Sequence, residues 1–339
     1  MTLQGTIRLN TDSQKLEFYA QDQWWEMATD VPNLGNATNS PDASGGVRAL
    51  AGGGYDPSAS NMIQGWNIAT TGSGFDFGNL TETRGYASGA SSRTRAVFAG
   101  GGVGSPNIYD TIDYVTFASL GDAVAFGEYA GSDRWHGAGA SNQTRGLFAG
   151  GETPTRVDDI DYITIASTGD AKDFGNLTRA KEGAPAVNSP TRAVFCGGIN
   201  AAPINVMDDM DYVTIATTGN AQDFGNLSVI NFGGGSGSNA VRGLIGGGAN
   251  PAPNSVIESV YMATLGNGTD FGDLTVARRY LAGASSSTRM TFGGGLTPAN
   301  TDVIDYVTFA STGDAVDFGN LDNIMYGNDS GVSNGHGGL

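Results

Sequence analysis

The chain is poor in positive charge. Its 339 residues hold 17 Lys and Arg against 34 Asp and Glu, for a formal charge of −17, and its only lysines are Lys15, Lys172 and Lys181. Nucleic-acid binding needs a basic footprint, so no nucleic-acid partner is expected, and an anionic membrane surface is disfavoured on the same ground. No apolar run approaches the ~20 residues of a spanning helix, and no charged-then-apolar leader opens the sequence, so membrane insertion is not expected. A single cysteine, Cys196, excludes an intrachain disulfide. Within Ala193-Val194-Phe195-Cys196 it reads as a small buried hydrophobe. There are two histidines, His136 and His336. A zinc site wants three or four Cys, His or carboxylate ligands, and a hydrolytic triad would have only these two histidines and no Gly-x-Ser-x-Gly elbow. No catalytic residue, cofactor or metal site is expected.

What the chain does have is glycine and repetition. It carries 54 glycines, roughly twice the usual ~7% share, and its apolar residues fall in short patterned runs. The string Ile304-Asp305-Tyr306-Val307-Thr308-Phe309 and the Asp317-Phe318-Gly319-Asn320-Leu321 that follows recur along nearly the whole length. Each copy is preceded by a strand that an arginine opens and a glycine pair closes, as in Arg95-Ala96-Val97-Phe98-Ala99-Gly100-Gly101. Arg48, Arg95, Arg145, Arg192, Arg242 and Arg289 are spaced by 47, 50, 47, 50 and 47 residues. A weak strand such as Ala282-Gly283-Ala284-Ser285 completes each unit. No helical periodicity of useful length occurs. Four short strands in a unit of this size make the blade of a β-propeller.

The layout resembles kelch repeats over residues 47–335: a Gly-Gly after the second strand, a tyrosine in the third and a large aromatic in the fourth. Tyr114, Tyr162, Tyr212, Tyr261 and Tyr306, with Trp66 in the first unit, are assigned to the tyrosine position. Phe77, Phe126, Phe174, Phe224, Phe271 and Phe318 hold the aromatic one. The fold class is therefore all-β, a propeller of four-stranded kelch-like blades. Six units start at the six arginines. Joining tail to head leaves 51 residues, close to one more unit, so seven blades are expected. The three strands read in residues 1–34 (turns at 11–13 and 21–22) would then be the outer strands of a seventh blade, and Asp329-Ser330-Gly331-Val332-Ser333 its first. The alternative is six blades with residues 1–34 as an appended module.

A residue present in every blade is most simply explained by the blade. The six arginines, each expected to pair with a carboxylate, and the Asp-Phe-Gly strands read as structural. The Asp-rich turns read as solvated, because alternate strand residues face opposite sides and no copy has calcium-loop spacing. Function is expected where the repeats disagree, on the face formed by the loops between strands two and three and those leading to the next blade. That face would display Tyr55, Tyr109, Tyr129, Asp133, Arg134, Trp135, His136, Phe232, Arg278, Arg279, Tyr280 and Tyr326. Aromatic and arginine side chains are the usual interface anchors, and Trp135-His136 is the leading pair.

The N-terminal Gly5-Thr6-Ile7-Arg8-Leu9-Asn10, Lys15-Leu16-Glu17-Phe18-Tyr19 and Gln23-Trp24-Trp25-Glu26 resemble a β element of tail-fibre and other virion proteins of tailed bacteriophages. The repeats are similar to those of virion structural proteins of marine, especially cyanobacterial, phages. The resemblance implies a non-enzymatic particle component, assembled in the host cytoplasm: a tail fibre, baseplate or head-surface protein. Its partners would be other virion proteins and a host cell-surface glycan or protein, and it would be oligomeric within the particle. The alternative is a glycan-acting hydrolase or lyase on the same fold, since two carboxylates at the correct separation suffice for glycoside hydrolysis.

Overall fold

The computed structural model describes residues 6–10, 15–20, 23–26, 47–200, 205–327 and 330–339. Among them every regular element is a strand. Six four-stranded antiparallel sheets form a β-propeller. Blade 1 comprises Val332–Ser333, Arg48–Gly52, Met62–Asn67 and Phe75–Asn79, counted from the axis outward. Blade 2 comprises Ser88–Ser91, Arg95–Ala99, Thr111–Thr116 and Val124–Glu128; blade 3 comprises Ala138–Ser141, Arg145–Ala149, Asp159–Thr164 and Lys172–Asn176. Blade 4 comprises Ala186–Asn188, Arg192–Asn200, Asn205–Thr214 and Gln222–Asn226; blade 5 comprises Gly235–Ser238, Arg242–Gly246, Val256–Tyr261 and Thr269–Asp273. Blade 6 comprises Ala282–Ser285, Arg289–Gly293, Val303–Thr308 and Val316–Asn320.

The propeller has six blades, not the expected seven. The tail strand does not found a new blade. It pairs with the first arginine strand, Val332 opposite Leu50 and Ser333 opposite Ala49. Two hydrogen-bonded rings then close around the axis with one member per blade. In the first, His136 N–H donates to Tyr86 O (3.0 Å), Gly183 to His136 (2.7 Å), Gly233 to Gly183 (2.8 Å), Tyr280 to Gly233 (2.6 Å), Gly327 to Tyr280 (3.2 Å) and Tyr86 to Gly327 (2.7 Å). In the second, at the other end of the innermost strands, side chains bridge to neighbouring carbonyls. Ser91 donates to Ser333, Ser141 to Ser91, Asn188 to Ser141, Ser238 to Asn188, Ser285 to Ser238 and Ser333 to Ser285. Neither ring has a gap for another blade. The strands Ile7–Asn10, Lys15–Ala20 and Gln23–Glu26 form a three-stranded antiparallel sheet of their own, in a separate compact unit, Met1–Gly46. The turns expected at 11–13 and 21–22, and Asp329, lie outside the described residues.

The core lies between blades, because each blade is apolar on both faces. One buried cluster occupies each neighbouring pair: Leu50, Ile63 and Phe77 of blade 1 pack on Ala96, Phe98 and Val115 of blade 2, and the same is true around the ring. The strand-four phenylalanines are all buried, from Phe77 to Phe318. The Asp-Phe-Gly strings are explained by the same interfaces. Gly121 N–H donates to Phe77 O (2.9 Å), so the chains approach so closely that a Cβ on Gly78 would lie 2.3 Å from Gly121 O. Gly78 also has φ of 151°, a backbone conformation that glycine adopts without steric cost.

Among the described residues no ion pair joins Arg95, Arg145, Arg192, Arg242 or Arg289 to a carboxylate, contrary to expectation; the six repeat arginines share another kind of partner. Each donates Nη1 to a backbone carbonyl of the next blade: Arg95 to Ile165 (3.0 Å), Arg145 to Ile215 (2.9 Å), Arg192 to Met262 (2.8 Å), Arg242 to Phe309 (2.9 Å), Arg289 to Ala69 (2.9 Å), and Arg48 to Phe117. Most also lie over an aromatic ring of their own blade, such as Arg95 over Tyr114 at 4.5 Å. Two assignments to the tyrosine position shift by register. Leu50 faces Gly65, not Trp66, and Leu244 faces Ser259, not Tyr261. The space at Gly65 is filled by Phe75, whose ring would stand 2.7 Å from an added Cβ. Trp66 points instead into the blade 6 interface, where its Nε1 donates to Thr291 Oγ1 at 3.0 Å.

Candidate binding face

The loop entering each blade carries three consecutive roles, set by distance from the blade's arginine. Eleven residues before it stand Arg84, Arg134, Lys181, Asn231 and Arg278, with Met325 in the tail repeat. The cations among these are buried and paired with third-strand acids: Arg84 with Asp113 (2.9 Å), Arg278 with Asp305 (2.9 Å), Arg134 with Asp161, and Lys181 with Asp211 (2.9 Å) and Asp209 (3.4 Å). Burial lowers the proton affinity of Arg84 and Arg278, against the pull of their aspartates. It raises that of Asp161, against the pull of Arg134. A buried pair of this kind anchors its loop because removing one partner strands the other charge. Where the cation is lacking the acid changes: Gln64 faces blade 1's loop and exchanges hydrogen bonds with the Asn323 backbone, and Glu258 of blade 5 accepts from Ser228 N–H at 2.6 Å.

One residue on from the cation, the loop bridges to the loop between strands two and three: Gly85 to Gly102, Trp135 to Glu152, Glu182 to Ile199, Phe232 to Ala249, Arg279 to Leu296 and Tyr326 to Tyr55. One residue further stand the members of the first axial ring, all left-handed: Tyr86 (φ 57°), His136 (55°), Gly183 (62°), Gly233 (66°), Tyr280 (57°) and Gly327 (68°). An L-residue pays roughly 1–2 kcal/mol for that conformation and glycine does not. Three blades use glycine; three spend the strain on an aromatic ring.

Those rings gather. Tyr86 lies 3.7 Å from His136, 5.4 Å from Tyr280, 5.3 Å from Tyr55 and 5.8 Å from Trp135, centroid to centroid. Trp135 is 5.2 Å from His136, Tyr280 is 5.8 Å from Phe232, and Tyr326 is 5.7 Å from Tyr55. Tyr55, Tyr86, Trp135, His136, Tyr280 and Tyr326 are half-buried. Burial, with Tyr326 and Tyr109 close by, pushes the Tyr55 phenol up to about 12, and its hydroxyl donates to Gly102 O at 2.8 Å. Beside Trp135 is a carboxylate pair. Trp135 Nε1 donates to Glu152 Oε2 (3.3 Å), and Arg156 holds Glu182 Oε1 through Nε (3.0 Å) and Nη2 (2.6 Å). Glu182 Oε2 is buried without a hydrogen-bond partner. Burial first, then the adjoining Glu182, raises the proton affinity of Glu152.

The structure thus brings Tyr55, Trp135, His136, Arg279, Tyr280 and Tyr326 onto one face, with Tyr109 half-buried nearby and Asp133 exposed. It removes Tyr129, Arg134, Arg278 and Phe232 from the displayed set, since all four are buried. Arg134 and Arg278 are the loop anchors, and Tyr129 lies beneath Arg134 at 4.3 Å. Tyr86, Glu152, Glu182 and Arg156 were not singled out in the sequence. Counting back from each arginine would have found Tyr86 and Glu182, which occupy the same offsets as His136 and Trp135.

Below the aromatic cluster the channel is lined by Gly, Ala and Ser and holds a cavity of about 60 Å³, reaching from Gly183 and Gly233 to His336. His336 closes the far end. Its Nδ1 accepts from Asn188 Nδ2 (3.0 Å) and Gly338 N–H (3.1 Å), and its Nε2 faces Ser91 O (3.2 Å) and Ser141 Oγ (3.3 Å). Two donors on Nδ1 select the neutral ring with its proton on Nε2, and burial lowers the imidazole to about 4. The two histidines sit at opposite ends of the strand Ala138–Ser141, too far apart to share a site. Comparison of the chain with protein-family models finds no match, and comparison with curated proteins finds none either.

Proposed function

We propose that this protein is a non-catalytic adhesive propeller of a phage particle, which meets its partner through the aromatic face of the ring. The observation that carries the reading is the cluster of Tyr86, His136 and Tyr280 on left-handed positions that three other blades fill with glycine. Strain of this kind persists where the surroundings over-determine it, and it collects at ligand clamps. Everything that repeats has a structural use, whereas this cluster does not repeat. The likeness of the N-terminal strands and of the repeats to virion proteins supports the setting, and the kelch-like spacing supports the blade type. Partners would be neighbouring virion proteins and a host-surface molecule.

The glycan-cleaving alternative would rest on Glu152 and Glu182. Glu152 accepts from Trp135 Nε1 and Glu182 is held through Oε1 by Arg156, whereas the two carboxyls of a glycosidase are turned to the bond they flank. These commitments favour adhesion over cleavage. The test is attachment of the purified protein to host cells, together with its location in intact particles. Trp135→Ala is expected to weaken attachment without moving the melt, and host polysaccharide should release no reducing ends. Equal attachment by the variant, or release abolished by Glu152→Gln, overturns the reading.

A further inference from the structure

The corner of the aromatic face between blades 3 and 4 is chemically distinct from the rest. Trp135 and Glu152 are a bridged pair, with N–H to O distances of 3.4 and 3.0 Å in the two directions, so the carboxylate is fixed at the indole edge. A hydrogen bond from Nε1 lies in the indole plane, which places Glu152 Oε2 beside the ring and leaves the exposed part of its face uncovered by that carboxylate. Next to it Glu182 keeps one buried oxygen without a partner, while Arg156 is committed to the other. The site therefore combines a half-buried indole with one half-buried carboxylate at its edge, Glu152, and a buried one, Glu182, behind it.

These features select a ligand. An anion would meet both carboxylates in a chain of formal charge −17. A quaternary ammonium needs several open ring faces, and here His136 covers a face of Tyr86 at 3.7 Å with the planes 31° apart, while Trp135 meets Tyr86 edge-to-face at 86°. A neutral sugar fits both halves. Its C–H face stacks on the indole, and the hydroxyls that radiate from its ring donate to acceptors in the plane of the indole edge. We infer that Trp135 and Glu152 form a subsite for a neutral sugar residue, with Trp135 as the stacking platform and Glu152 accepting its hydroxyls. The inference rests on the adhesive reading above and names what that face would hold.

The experiment uses the full chain and ligand-observed NMR with glucose, galactose, mannose and N-acetylglucosamine, and with N-acetylneuraminic acid and choline as charged controls. At least one neutral sugar is expected to bind saturably in the roughly millimolar range of a small ligand with few contacts. Trp135→Ala should weaken it about tenfold or more, the scale of an aromatic anchor. Trp135→Phe should restore part of the loss, and Glu152→Gln should weaken binding because one acceptor becomes a donor. Glu152→Gln changes no bulk, so it remains informative should Trp135→Ala fail to fold. The inference falls if no neutral sugar binds, if binding is unchanged in Trp135→Ala or Glu152→Gln, or if choline or the sialate binds more tightly. Wild-type protein that attaches to host cells but binds none of the four sugars overturns this inference and leaves the adhesive reading standing.

Discussion

The two ends of the channel solve the same problem by different means. Both must join six blades into a closed ring. The end at Ser91, Ser141 and Asn188 does it with small side chains that bridge to the next carbonyl, in ordinary backbone conformations, and the tail lies across it with His336 seated among them. The opposite end closes through backbone alone, on six left-handed residues, and three of these carry rings that the closure does not need. One end is built for cohesion. The other accepts strain to hold three aromatic rings at the axis. The contrast predicts that changes at the serine end act on stability and those at the aromatic end act on binding.

The largest effect should come from removing the tail. Deleting residues 331–339 takes away the innermost strand of blade 1, one serine of the lower ring and the His336 plug. It exposes an unpaired strand edge, a template for aggregation. Loss of the cooperative melt is expected by calorimetry, and a chain that melts as before would show that the ring does not depend on this closure. Deleting residues 1–46, by contrast, should leave the propeller's melt in place, since both rings close without them.

Next in size are the loop anchors. Arg278 is fully buried and holds Asp305, Phe292 O and Val303 O. Arg278→Ala strands a buried carboxylate, a loss of about 3–5 kcal/mol, measurable by denaturant unfolding. Asp305→Asn is expected to destabilise less, because the amide oxygen still accepts. If both changes cost under about 1 kcal/mol, at the level of surface pairs, the pairs do not anchor the face.

The blade architecture was legible because it repeats. The arginines, the glycine pairs and the strand-four phenylalanines kept their offsets, and the strands formed where alternation and turn residues placed them. The blade count was harder, since it depends on whether nine tail residues found a new blade or complete an old one. Chain length favoured the first. What decided the second was Ser333 reaching both Ser285 and Ser91, a pairing across the sequence that no local pattern encodes. The site was half legible for a related reason. Arg278, Arg279 and Tyr280 are adjacent in sequence, yet the first is buried, the second bridges and the third is turned over the axis. Residue type alone cannot separate three neighbours with three fates, whereas their common offset from Arg289 can.

The serine end should also respond to pH. In the folded chain His336 titrates near about 4, and in the unfolded chain near the ordinary ~6.5. Between those values the unfolded state binds more protons, so acidification favours unfolding. The contribution is complete above about 6.5 and is lost as pH falls towards 4. His336→Gln should flatten that part of the stability–pH curve. An unaltered curve would assign the acid sensitivity to carboxylates instead.

The smallest stability effect is expected at Tyr280, and it is the sharpest test of the contrast. Tyr280→Gly replaces a left-handed tyrosine by the residue that the loops entering blades 4, 5 and 1 place at the corresponding ring positions Gly183, Gly233 and Gly327. Relief of roughly 1–2 kcal/mol of backbone strain is set against lost ring contacts with Tyr86, Phe232 and His136, each about 0.5–1.5 kcal/mol. The three contacts together, about 1.5–4.5 kcal/mol, exceed the relief, so a net loss of roughly 1–2 kcal/mol and a melt lower by a few degrees are expected. Attachment should fall as well, because the ring and its neighbours form the presented surface. Full attachment with an unmoved melt would make the aromatic ring positions as interchangeable as glycine, and the two ends of the channel would no longer differ in kind.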